Sequence, residues 1–148
     1  MIRISFILFF CFTILISEPL KIISFNIQGF KGKNKSNKIS EIIKNIKEFD
    51  IIFIQENWTY DNKFLNELNN FKFISSGGKN IFHSAGLTIA FKNKFELLDF
   101  EIKKYNECNG FIFNGNDCLA SKGFIYAKIN LDGQLIDIYN THLDAGRT

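Results

Sequence analysis

Four consecutive residues, Ile51-Ile52-Phe53-Ile54, are apolar, and each is β-branched or aromatic. A strand with one face in water would alternate, so an unbroken run of this length fits a strand covered on both faces. The preceding segment supplies one cover. Ile39, Ile42, Ile43, Ile46 and Phe49 recur at the spacing of one helical face, with Glu41, Lys44, Lys47 and Glu48 opposite. Ser36 or Asn37 suits the cap of that helix, and Asp50 closes it. Ahead of it, residues 20–25 (LKIISF) form a short apolar strand, which Asn26-Ile27-Gln28-Gly29-Phe30 interrupts. Strand, amphipathic helix and buried strand make a βαβ-like unit, with the two strands side by side in one sheet.

The rest of the chain is richer in strands. A second helical stretch over 60–69 offers Phe64, Leu65 and Leu68 as its apolar side. Residues 71–74, 86–91 and 95–105 are strand candidates, with 75–78 (SSGG) and Lys92-Asn93-Lys94 as turns. Residues 123–131 (GFIYAKINL) alternate, Asp132-Gly133 signals a tight hairpin, and 134–140 (QLIDIYN) run back. No internal repeat or low-complexity linker occurs, and the chain has a single proline. The pattern predicts one α/β domain with antiparallel hairpins.

At 148 residues and 46% hydrophobic content the chain can bury a core. Its 18 Phe, with abundant Ile, Lys and Asn, follow A/T-rich codons, so the rarer Gly, Asp, Glu, His, Cys and Trp carry more information. The net charge of +3 is dispersed, which argues against a nucleic-acid-binding stripe. A basic start at Arg3, an uncharged apolar run over 4–16 and then Ser17-Glu18-Pro19 predict a signal peptide over 1–17 and an exported chain over 18–148. An uncleaved anchor is the alternative. Export leaves Cys108 and Cys118, which bracket a short loop and form either one disulfide or a buried free pair. Asn34-Lys35-Ser36 and Asn57-Trp58-Thr59 match the glycosylation sequon, although a glycan on Asn57 would obstruct the neighbouring Glu56.

Three polar residues sit where apolar strands end: Asn26 in SFNIQGF, Glu56 in DIIFIQENW and His142 in IYNTHLDAG. Each has an ordinary structural explanation, as a turn residue, a solvated acid and a satisfied imidazole. Ligands of open α/β sheets nevertheless gather outside the carboxyl ends of strands, where these three could meet. One carboxylate with an amide oxygen is a poor cage for Zn²⁺ or Ca²⁺. It suits Mg²⁺, which keeps several waters and takes one or two carboxylates plus phosphate oxygens. An adjacent histidine can donate to a phosphoryl group or move a proton. Metal-assisted hydrolysis of a phosphate ester follows as the expected chemistry.

KIISFNIQGF, DIIFIQENW, GLTIAF, NGNDCLASKGFIYAKI and IYNTHLDAG stand in the order and rough spacing of the endonuclease/exonuclease/phosphatase superfamily. The resemblance spans 20–147. NDCLASKGF and NTHLDAG resemble the neutral and bacterial sphingomyelinases most. The resemblance implies a DNase I-like two-sheet sandwich of which this chain supplies roughly the first half, in effect its first sheet. It implies Glu56 as the Mg²⁺ ligand, Asn26 as support for the metal or phosphate, and His142 as the phosphate-contacting histidine. It also implies Asp117 and Lys122 as a pair in which the aspartate holds the lysine in or out of the site. A surface ion pair, worth less than about 1 kcal/mol, is the plainer account of those two.

The later motifs of such proteins, an Asp-x-Asn and a terminal Asp-His carrying the general base, have no counterpart here, since the other histidine, His83, lies in a polar loop. A lone first sheet would also expose the apolar face meant for a second. The expectation is therefore the N-terminal half of a secreted Mg²⁺-dependent phosphodiesterase. It would cleave sphingomyelin, or a related phosphocholine lipid at a membrane surface, to ceramide and phosphocholine. Nucleic acid is not an expected partner, and no stable protein partner can be inferred. A DNase I-like secreted nuclease is one alternative, although it leaves NDCLASKGF unexplained. A non-catalytic lipid-surface protein is the other, with Phe111-Ile112-Phe113 either touching the membrane or forming a buried strand.

Overall fold

The computed structural model describes residues 18–27, 35–58, 67–77, 84–106 and 121–143. The signal peptide expected over 1–17, most of the helix expected over 60–69, His83, the Phe111 to Phe113 segment, Asp117 and both Cys108 and Cys118 lie outside these residues. So does Asn34, the acceptor residue of the first sequon.

The described elements run β1 (Ile22–Asn26), α1 (Lys35–Ile46), β2 (Ile51–Gln55), β3 (Phe71–Ser75), β4 (Thr88–Lys92), β5 (Glu96–Lys104), β6 (Gly123–Leu131) and β7 (Gln134–His142). They form a four-stranded sheet of order β1-β2-β4-β3 and a three-stranded sheet of order β5-β6-β7. β1 and β2 pair in parallel, from Ile22 opposite Ile51 to Asn26 opposite Gln55. The other pairings are antiparallel.

Three layers result, with β2 in the middle one. Ile52 and Ile54 face Ile39, Ile43 and Ile46 of α1, while Ile51 packs with Ile125, Ala127 and Ile129 of β6. Ile51, Ile52 and Ile54 are fully buried. Each such side chain contributes about 1.5–3 kcal/mol over leaving it exposed, which explains why the run does not alternate. α1 begins at Lys35, so Ser36 and Asn37 lie inside its first turn rather than at its cap.

The expectation that the chain supplies only a first sheet is corrected, because its strands divide between two. The face expected to lie open is covered by β6 and β7. Apolar exposure falls instead on the three-stranded sheet, at Phe100, Ile102, Leu135 and Tyr139. The turn at Lys92-Asn93-Lys94 does not close a hairpin; it carries the chain from one sheet to the other. Asp50 anchors this crossing. Its carboxylate accepts from the backbone N–H of Lys21 at 2.9 Å and pairs with Lys92 at 3.1 Å and Lys94 at 2.9 Å. Burial works against its charge, but these donors outweigh it and hold the carboxyl at about 2.

The β6–β7 hairpin matches the expected 123–131 strand and its two-residue turn. Asp132 and Gly133 both take positive φ, 51° and 88°, and the strands pair from Leu131 opposite Gln134 to Gly123 opposite His142. No described helix is long and apolar enough to cross a membrane.

Candidate functional site

β1 and β2 run parallel, so their carboxyl ends lie together, and β7 finishes at the same end. Asn26 is the last residue of β1, Glu56 follows β2 directly, and His142 is the last residue of β7. Asn26 Nδ2 donates to Glu56 Oε1 at 2.8 Å, and the same oxygen lies 3.9 Å from His142 Nε2. The Glu56 and His142 side chains are about three-quarters buried, at 26% and 22% exposure, so the cluster is shielded but open to a ligand.

Glu56 has φ 58°, the left-handed region that non-glycine residues rarely occupy. Its neighbours hold it there. Asn57 N–H donates to Gly86 O at 2.7 Å, and Asn57 Nδ2 donates to Thr88 Oγ1 at 2.9 Å. The Trp58 indole donates to Ser84 O at 3.3 Å. Asn57 is 1% exposed, which explains physically why this sequon cannot carry a glycan in the folded chain. On the β1 side, Ile27 N–H donates to Gln55 O at 3.1 Å and keeps the two strand ends together.

Lys122 is 8% exposed and immediately precedes β6. Its carbonyl accepts from Tyr105 N–H at 2.9 Å, and the next residue, Gly123, lies opposite His142. Lys122 therefore reaches the same end of the molecule as the other three. Gly123 packs so tightly on β5 that a β-carbon there would stand 2.2 Å from Lys103 O. Asp117, its expected partner, is outside the described residues.

Behind this cluster are polar residues that sequence reasoning passed over. Asn140 is 3% exposed; it bonds to Ile54 O and Thr88 O, and Gln55 bonds to it in turn. Their signal was present in the letters, as QEN and NTH, but each reads locally as the wet end of a strand. A separate cavity of about 470 Å³, lined by Lys47, Leu68, Phe71, Asn93 and Lys94 among others, lies beside the strand crossing and away from these residues.

Among the described residues no three His, Cys, Asp or Glu side chains group as a metal cage. The donor set of one carboxylate and one amide matches what Mg²⁺ accepts when waters and a substrate phosphate complete its shell.

No family model and no curated protein matches the chain. Solved structures do. Humanized D. rerio TDP2 superposes with a TM-score of 0.67 at 18% identity, covering 86% of this chain and 48% of that one. An endonuclease/exonuclease/phosphatase from Bacteroides vulgatus gives 0.61 at 18%, covering 86% and 53%. A β-hairpin deletion mutant of beta toxin from Staphylococcus aureus gives 0.64 at 18%, covering 84% and 51%. The chain has the two-sheet, DNase I-like fold of endonuclease/exonuclease/phosphatase proteins and spans about half the length of these structures.

Proposed function

We propose that this chain provides the phosphate-binding end of a secreted, Mg²⁺-dependent phosphodiesterase that acts on sphingomyelin or a related phosphocholine lipid. The observation that carries the reading is the meeting of Asn26, Glu56 and His142 at the same end of the two packed sheets, with Glu56 in a left-handed conformation. Residues held in such conformations by their surroundings cluster at active sites and ligand clamps.

Glu56 would hold the metal, and Asn26 orients the carboxylate by donating to Oε1. Bound Mg²⁺ would supply positive charge to the phosphoryl oxygens. His142, beside the same carboxylate, donates to a phosphoryl oxygen and stabilises charge as it builds there. Lys122, with Asp117 as its partner, adds a second positive group at this end. The general base for the attacking water would come from the part of such a fold beyond the half spanned here. The lipid substrate rests on the NDCLASKGF and NTHLDAG segments, and export rests on residues 1–17. A Cys108–Cys118 bridge belongs to the same reading; two free thiols in the unfolded, unreduced protein would exclude it.

The test measures phosphocholine release from sphingomyelin vesicles and nicking of plasmid DNA side by side, with and without EDTA, using the natural secreted product. EDTA-sensitive phosphocholine release that Glu56→Gln abolishes is the expected result. DNA nicking without lipid hydrolysis would replace it with the nuclease reading. Vesicle binding that survives Glu56→Gln, without either activity, would identify a non-catalytic lipid-surface protein.

A further inference from the structure

The contact between the two sheets is apolar over most of its extent, with Ile51, Ile89, Phe91 and Phe95 on one side and Ile125, Ile129 and Ile138 on the other. Apolar burial has no direction. It holds the sheets together but selects the placement of β7 along β2 less sharply than a buried hydrogen bond does, and the spacing of Glu56 and His142 depends on that placement.

At the end that carries those two residues, the Asn140 side chain crosses between the sheets. Its Nδ2 donates to Ile54 O at 2.9 Å and to Thr88 O at 2.9 Å, the carbonyls of residues paired across β2 and β4. Its Oδ1 accepts from Gln55 Nε2 at 2.8 Å, and Gln55 Nε2 also reaches Ser24 Oγ on β1 at 3.2 Å. One buried amide thus ties β7 directly to β2 and β4, and through Gln55 to β1. The geometry is demanding. Two carbonyls need two hydrogens from one short-stemmed nitrogen, which Asn supplies and Asp, Ser and Leu do not. Buried bonds of this kind are costly to leave unmade, so they penalise any other register.

Asn140 stands two residues before His142 on the same face of β7, and Ile54 and Gln55 stand immediately before Glu56. We infer that Asn140 is a positioning residue whose amide, held by Gln55, sets the register of β7 against β2 and so fixes the 3.9 Å separation of His142 Nε2 from Glu56 Oε1. Its catalytic consequence rests on the reading of Glu56 and His142 given above, while the positioning itself does not.

The experiment is nuclear magnetic resonance on the isotope-labelled chain, first without metal. The parent should show cross-peaks between the His142 imidazole and the Glu56 methylene protons. Asn140→Leu should lose them while the amide pattern of both sheets persists. Phe95→Leu, a core truncation away from the polar bridge, should keep them although it lowers stability. If Asn140→Leu does not fold, Gln55→Met replaces it; this removes only the bonds from Gln55 and should weaken the same cross-peaks. Parental cross-peaks in the folded Asn140 variant, or in Gln55→Met where that one replaces it, overturn the inference. Their loss in Phe95→Leu overturns it too, because any loosening would then suffice. MnCl₂ added afterwards tests the metal reading separately. Absence of broadening at Glu56 overturns that reading, while the cross-peaks alone decide the role of Asn140.

Discussion

The indole of Trp58 fills the space that a β-carbon on Gly86 would need: such an atom would stand 2.5 Å from the indole Nε1 and 2.6 Å from Cε2. Gly86 also has φ 62°, so both sterics and backbone select glycine at this point. Trp58 lies two residues beyond Glu56, and the contact holds the segment that presents the carboxylate.

Gly86→Ala is therefore expected to destabilise the chain by about 2–4 kcal/mol, from left-handed strain plus displacement of the indole. Urea unfolding followed by Trp58, the single tryptophan, gives the number. A loss below about 0.5 kcal/mol would mean that the indole moves aside freely.

Glu56→Gly should separate stability from ligand binding. Relief of the left-handed strain is worth about 1 kcal/mol, partly offset by the greater freedom of an unfolded glycine. Stability equal to the parent, or higher by up to about 1 kcal/mol, is expected together with loss of Mn²⁺ binding. A clear fall in the unfolding midpoint would show that the carboxylate supports the fold rather than a ligand.

Asp50 makes stability depend on acid. Its carboxyl sits at about 2 in the folded chain against an ordinary 3.8. A depressed value stabilises the fold above the unfolded pKa, and the contribution disappears as pH falls through about 4 towards 2. The shift corresponds to at most about 2.5 kcal/mol. Lys92 and Lys94 remain partly in water, so about 1 kcal/mol is the expected loss for Asp50→Asn at neutral pH. Parent and variant should converge near pH 2, and a gap that stays constant with pH would contradict the assignment.

Tyr126 should ionise late. Its hydroxyl donates to Asp137 Oδ1 at 2.7 Å, and this bond is the main reason its pKa is pushed up to about 12. A raised value favours folding below the unfolded pKa near 10, and the contribution fades as pH rises through about 12. In Asp137→Asn the ring-carbon titration of Tyr126 should return towards 10. An unchanged midpoint would assign the shift to something other than this bond.

Much of the fold was legible because its signals are local. The alternation of 123–131 and the Asp132-Gly133 turn placed β6 and its hairpin, and the stripe from Ile39 to Ile46 placed α1. Asn26, Glu56 and His142 stood out as polar residues at the ends of apolar strands. The division into two sheets was not legible, because Lys92-Asn93-Lys94 looks like any polar turn; the carboxylate that pairs with it there is Asp50, 42 residues from Lys92. Asn140 and Gln55 escaped for a similar reason. They are 85 residues apart, and no local pattern encodes how one sheet sits upon another.

The hairpin turn between β6 and β7 bears on the order in which the molecule assembles. A two-residue turn with both φ values positive closes a hairpin in microseconds, and it carries His142 at its open end. Glu56 arrives separately, on a strand whose parallel partner must wait for α1 to cross over. A chain with both sheets formed but not yet docked would hold all of these side chains without bringing them together. Recovery of the Glu56–His142 contact during refolding should therefore lag behind secondary structure and coincide with burial of Ile125 and Ile129, making the site a clock for the last step of folding.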